Sequence, residues 1–320
     1  MESSLIITII SAVVVVGLYV LMCIMAKKQG VTLFGKEKSA KTSKPEKVEI
    51  ISKSEWQKVL PLIKKNAIIF NDTNKSSFSK IGGKPNLPDD IEWPNVDGDP
   101  MSFVAQINLE DLPQKDVSLA KNLTGAVLVF AKLTDVDYCE PNSKNYKLIH
   151  IQNLSAPERA FPENLDNYDR FESTYLSSVL FNGDIPRQIT DEIDTLQYQS
   201  DDTLSINAYC DVADEYYKKL PERLLLRDKA IKIGGYGNFM QGGGMEESPF
   251  AETKFANTKL KECMHTLGAK DYVLFMQIFS AKDKKQKMLF GDAGVLYIYV
   301  KISDLIEGKL ENIVFVMQDG

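Results

Sequence analysis

The segment Lys80-Ile81-Gly82-Gly83 returns later in the chain as Lys232-Ile233-Gly234-Gly235, and it does not return alone. Phe103-Val104-Ala105-Gln106-Ile107 has a counterpart in Leu274-Phe275-Met276-Gln277-Ile278, and Gly125 to Leu133 (GAVLVFAKL) has one in Gly294 to Ile302 (GVLYIYVKI). The order is the same in both halves. From the Gln to the next Gly of the pattern is 19 residues in the first half and 17 in the second. From the Gly pair to the Gln the spacing grows from 23 to 42, which places an insertion there. Ordered self-similarity of this kind marks a repeated supersecondary unit. Here the unit is a Gly-Gly turn, an apolar strand ending in Gln-Ile and a second strand opened by Gly. Two such units would bury their apolar faces against each other around a pseudo-two-fold core.

The remaining chain supplies weaker signals. Ser52-x-x-Glu55 ahead of Trp56, Val59 and Leu62 is a capping box, so residues 53–65 read as a helix ended or strained by Pro61. Ala67–Phe70 reads as a short strand and residues 312–317 as a terminal one. Asp97-Gly98 has hairpin-turn character. Residues 141–230 are polar, acidic and turn-rich, with short helices expected at Asp211–Leu220 and Pro221–Lys229. Together these predict an α+β fold, internally duplicated, with antiparallel-leaning sheets, a few helices and one preceding transmembrane helix. The first copy spans about 67–135, the insert 141–230 and the second copy about 231–317.

That transmembrane helix is read from residues 5–26, LIITIISAVVVVGLYVLMCIMA, which carry no charge. As a helix they would extend about 33 Å, enough for a hydrocarbon core of about 30 Å. The acidic MESS start and the long apolar run argue against a secretory signal peptide. Residues 27–48 then hold seven Lys and two Glu, a local net of +5 in a chain whose formal charge is -6. The charge asymmetry predicts a single-pass anchor over 1–26, a basic linker over 27–48 and a C-terminal domain over 49–320 in the cytoplasm. Lys27, Lys28, Lys36 and Lys38 are placed to touch anionic lipid; the alternative is a topology signal on a solvated linker. The acidic body lacks the basic face of a nucleic-acid binder. Cys23, Cys139, Cys210 and Cys263 form no CxxC pair, so neither a zinc knuckle nor a dithiol is written here.

Residues 79–113 contain Gly82-Gly83-Lys84-Pro85-Asn86-Leu87-Pro88, Trp93-Pro94 and Gln106-Ile107-Asn108-Leu109. The second half contains Ile233-Gly234-Gly235-Tyr236, Gln241, Gln277-Ile278 and Gly291-Asp292-Ala293-Gly294. As a set these resemble the YwqG-like family of uncharacterised proteins, over roughly residues 50–320. Gly237 stands where that family usually has Pro, and an N-terminal anchor is not part of its common domain. The resemblance implies a compact α+β fold. It implies no reaction, cofactor or catalytic residue.

Candidate sites follow from residue type. Gly82, Gly83, Gly234, Gly235, Gly291 and Gly294 read as turns, since no GKS or GKT and no Rossmann spacing accompanies them. Gln106 and Gln277 sit in equivalent apolar strands and need partners there, either bracing the core or lining a cleft. Trp93 is a ligand anchor or a packing residue, and Gln241 opens a Gly-rich loop. Asp292 is an acid/base or metal candidate if Asp89, Asp97 or Asp99 joins it; otherwise it is a turn aspartate. The two histidines, His150 and His265, form no metal-binding motif. No metal and no cofactor is predicted. The leading expectation is a membrane-tethered module binding a protein or peptide. The alternatives are a hydrolase or metal-assisted enzyme, or a small-molecule sensor with a cleft between the halves.

Overall fold

The computed structural model describes residues 52–113, 121–133, 139–141, 144–186, 203–221, 224, 231–238, 272–282, 287–291 and 293–318. The chain divides into two units, Met1–Glu49 and Ile50–Gly320, and every described residue lies in the second. A helix over Lys53–Ile63 comes first, with Ser52 and Glu55 bonding each other's backbone N–H as the capping box requires. The strands follow as β1 (Lys65–Asp72), β2 (Lys80–Ile81), β3 (Asn95–Val96), β4 (Asp99–Pro100), β5 (Ser102–Asn108) and β6 (Ala126–Ala131). Then come β7 (Cys139–Pro141), β8 (Tyr146–Ile151), β9 (Thr174–Asp184), a helix over Thr203–Lys218 and β10 (Ile231–Gly234). The chain ends in β11 (Tyr272–Phe279), β12 (Ala281–Lys282), β13 (Lys287–Met288), β14 (Val295–Lys301), a short helix Ile302–Ile306 and β15 (Ile313–Gln318).

Eleven of these strands form one sheet in the order β7-β15-β14-β11-β10-β1-β9-β2-β5-β6-β8, every pair antiparallel. The two halves pair in matching register. Lys80 lies opposite Gln106 and Gln106 opposite Leu128; Lys232 lies opposite Gln277 and Gln277 opposite Tyr297. Even the irregularities correspond, one between Phe103 and Ala105, the other between Leu274 and Met276. The first strand of each half, however, pairs with the other half. β1 lies beside β10, β9 lies beside β2, and β1 and β9 pair with each other along Lys65–Asp72.

The fold is therefore mostly β, not α+β. The stretch 141–230, expected to be turn-rich with short helices, supplies β8 and the long central β9, and one helix of 16 residues. β-branched and aromatic residues in runs such as Ala67-Ile68-Ile69-Phe70 and Val295 to Val300 favour strands covered on both faces. One apolar cluster runs along a single face of the whole sheet. It takes Ile107, Val127 and Val129 from one half, Ile68 and Phe70 from β1, and Ile278, Ile298 and Phe315 from the other half. The sheet curls so far that its ends meet, Tyr146 of β8 stacking on Phe315 of β15 with ring centroids 5.5 Å apart. On the other face Trp56, Leu60, Tyr209, Val212 and Tyr217 pack the two longer helices together beside Ile185. Tyr209 and Tyr217 donate to the carbonyls of Pro186 and Ile185, fixing that helix pair to the end of β9. Asp97 and Gly98, with φ of 53° and 94°, turn the β3–β4 hairpin.

Among the described residues no helix is long and apolar enough to cross a membrane. Residues 5–26, and Lys27, Lys28, Lys36 and Lys38 after them, lie outside the described residues. The expected transmembrane helix, and the single-pass placement with a cytoplasmic domain that rests on it, are therefore not supported by the structure.

Exchange of first strands gives a direct expectation. Separate fragments 1–152 and 153–320 leave β1 without both neighbours and β2 without β9. Neither fragment alone should show a cooperative thermal transition by circular dichroism, and an equimolar mixture should regain one. A cooperative transition in either fragment by itself would contradict the exchange.

Candidate functional site

Each Lys-Ile-Gly-Gly segment builds the same small polar cluster. The strand places a lysine directly across from a glutamine, and both side chains are buried: Lys80 with Gln106, Lys232 with Gln277. The two glycines that follow are left-handed, with φ of 65° and 75° at Gly82 and Gly83 and 67° and 69° at Gly234 and Gly235. A Cβ at Gly83 would stand 1.8 Å from Ser173 Oγ, and one at Gly235 2.2 Å from Asp184 Oδ2, so both positions need glycine for space as well as for φ. The turn brings back the asparagine six residues after the lysine. Asn86 N donates to Gln106 Oε1 at 2.9 Å while Gln106 Nε2 donates to Asn86 Oδ1 at 2.8 Å. Asn238 N donates to Gln277 Oε1 at 2.9 Å and Gln277 Nε2 to Asn238 Oδ1 at 2.9 Å. The glutamines thus brace the turns rather than line a cleft.

The lysines differ. Lys80 Nζ reaches Glu158 Oε1 at 2.5 Å, and that glutamate side chain is 47% exposed. Lys232 Nζ donates to Asp184 Oδ2 at 2.9 Å and to Asn238 Oδ1 at 2.6 Å, and both members of that ion pair are buried. Asp184 Oδ2 also accepts Tyr236 N at 2.7 Å, and Tyr297 Oη donates to Asn238 O at 2.7 Å. Only the first clamp meets solvent.

The other candidates scatter. Trp93 is buried, donates Nε1 to Met101 O at 2.9 Å and sits edge-on to Phe130 and Phe161, a packing role. Asp97 and Asp99 are exposed and pair with Lys144 and Lys132, and Asp89 is exposed. His150 Nε2 shares a hydrogen bond with Thr124 O at 2.6 Å. Gly291 is left-handed, and Gly294 N donates to Phe290 O. Asp292, Gln241 and His265 lie outside the described residues. Among the described residues no group of three or more His, Cys, Asp or Glu is placed to hold a metal.

What sequence reading passed over is a cavity of about 180 Å³ beside the β1–β9 pair. Phe70 and Leu176 are its apolar lining. The loop after β1 contributes Thr73, Lys75, Ser76, Ser77 and Ser79, while β9 contributes Ser177 and Ser178, and Asp111 comes from the turn after β5. Local hydrogen bonds set the hydroxyls. Thr73 Oγ1 accepts Lys75 N, Ser77 Oγ accepts Ser79 N, and Ser79 Oγ accepts Asn108 N. Ser178 Oγ donates to Asp111 O, and Asp111 Oδ2 accepts Asn108 Nδ2 at 2.7 Å. The signal was present in the sequence as four hydroxyl residues among the seven of Thr73–Ser79, directly before the first Lys-Ile-Gly-Gly. The recurring asparagine, six residues after Lys80 and after Lys232, was legible too.

Residues 79–318 match the profile of a family described as a domain of unknown function, DUF1963. The match takes in both clamps and the β9 side of the cavity, and begins after most of the Thr73–Ser79 loop. No curated protein matches the chain.

The asymmetry of the clamps is measurable. Asp184→Ala takes the carboxylate from a buried lysine and should cost about 3–5 kcal/mol. Glu158→Ala removes a half-exposed partner whose place beside Lys80 water can take, and should cost less than Asp184→Ala. Urea denaturation of the two variants checks the order, and equal losses would refute it.

Proposed function

Since the chain belongs to the DUF1963 family, whose description carries no activity, we propose from geometry that this domain is a binding module for a small polar ligand, held in the cavity beside β1 and β9. The observation that carries the reading is the hydroxyl-rich lining. Thr73, Ser77 and Ser79 accept backbone N–H groups, which fixes their oxygens and leaves each hydroxyl proton for another acceptor. A few fixed polar groups over an apolar floor are what a pre-formed small-molecule site consists of.

Two other readings draw less support. A hydrolase needs carboxylates brought together, and Asp89, Asp97 and Asp99 face solvent. A docking module for protein or peptide calls for a contiguous apolar patch. The large exposed apolar side chains among the described residues are Tyr168, Ile302 and Ile306, with Tyr168 far from the other two in sequence. The finer kinship with YwqG-like proteins rests on the Gly82–Pro88, Trp93-Pro94 and Gln106–Leu109 motifs and is part of the same proposal.

The test is thermal melting of the full chain against sugars, organic phosphates, carboxylates and amino acids. A ligand at 100 times its Kd stabilises by about 2.7 kcal/mol, a rise of about 4–5 °C in a chain of this size. Ser178→Leu, which fills the cavity, should abolish the rise. A panel without any shift, or a shift that survives Ser178→Leu, overturns the reading.

A further inference from the structure

We infer that the ligand of this cavity is a small zwitterion of the amino-acid class, an inference that rests on the binding reading above. The lining is bipolar. Lys75 is its one cation and Asp111 its one anion, and neither forms an ion pair among the described residues. Donors collect on the loop side. The loop carries Lys75 together with the hydroxyls of Thr73, Ser77 and Ser79, each of which already accepts a backbone N–H. Ser178 and Asp111 come from β9 and from the turn after β5. Ser178 spends its proton on Asp111 O, which leaves its lone pairs facing outward from that bond. Asp111 gives one carboxylate oxygen to Asn108 Nδ2 and keeps the other.

Electrostatics then choose among ligands. A phosphate would bring its charge beside Asp111, and a simple amine would bring its charge beside Lys75; like charges at such range oppose binding. A zwitterion meets both groups with the favourable sign and adds no net charge to the site. Its carboxylate takes the Lys75 ammonium and the loop hydroxyls, and charge-assisted hydrogen bonds of this type are the stronger ones. Its ammonium takes Asp111 and Ser178. The apolar pair Phe70 and Leu176 is left for the carbon skeleton. The cavity, about 180 Å³ in volume, is smaller than the roughly 300–1,000 Å³ of drug-sized sites, which favours a small ligand.

The experiment is isothermal titration of the full chain with glycine, L-alanine and L-serine, and with acetate, methylammonium and inorganic phosphate as separate arms. At least one amino acid should bind tenfold or more tightly than acetate and methylammonium. Lys75→Gln and Asp111→Asn should each weaken it at least tenfold with unchanged apo melting temperatures, and acetate binding should fall only in Lys75→Gln. Amino-acid binding that survives both variants, or Ser178→Leu, overturns the inference. If phosphate or a sugar binds, is lost in Ser178→Leu, and no amino acid binds, the zwitterion is wrong and the cavity remains a binding site. If no probe in either panel binds, the inference and the binding reading fall together.

Discussion

Everything else in this domain depends on the pairing of β1 with β9. Each is the first strand of its own half, and each finds its second neighbour in the other half: β10 for β1 and β2 for β9. The backbone groups of the two leading strands are satisfied only when both halves are present, and an unmade buried backbone hydrogen bond is costly. A two-residue strand such as β2 has almost no independent stability. It is held because β9 on one side and β5 on the other are long. The continuous apolar cluster on one face then adds burial that neither half could achieve alone. The cavity lies beside this same pair, so its lining is assembled by the exchange rather than by either half.

The two polar clamps show how a buried polar group can specify a turn. A glutamine in an all-apolar strand would be a liability without partners, yet Gln106 and Gln277 each hold both the backbone N–H and the side-chain oxygen of an asparagine. That pair of bonds fixes where the chain goes after the Gly-Gly reversal. A fully satisfied polar network of this kind selects one conformation of the loop over the alternatives. The lysine beside each glutamine extends the network differently in the two halves. Lys80 leads outward to an exposed glutamate, whereas Lys232 is enclosed with Asp184.

Much of this was legible in the chain. The matched segments pair in one register, and the capping box, the Asp97-Gly98 turn and the strands at 67–70 and 312–317 stand where local chemistry places them. What was not legible is long-range. β9 reads as Thr-Tyr-Leu-Ser-Ser-Val-Leu-Phe-Asn-Gly-Asp, polar enough to pass for loop. It is a central strand because its neighbours cover it, not because of its own pattern. Missing it turned a single curled sheet into an α+β expectation. The cavity escaped notice for the same reason, since Ser177, Ser178 and Asp111 lie far in sequence from the loop they face. Gly82, Gly83, Gly234, Gly235 and Gly291 have positive φ and Gly294 does not, while Trp93 packs against Phe130 and Phe161 and the two glutamines bond the asparagines after the turns.

The short strand β7 carries a consequence for the order of assembly. It leaves β6, crosses to the far end of the sheet and pairs with β15 before the chain returns as β8. The C-terminal strand therefore has a seat on each side, β14 and β7, and behaves as a keystone. Until residues 313–318 have been made, the edges of β14 and β7 are open, and open edges recruit strands from other chains. A chain without residues 313–318 would thus hold a gap in its sheet between β14 and β7.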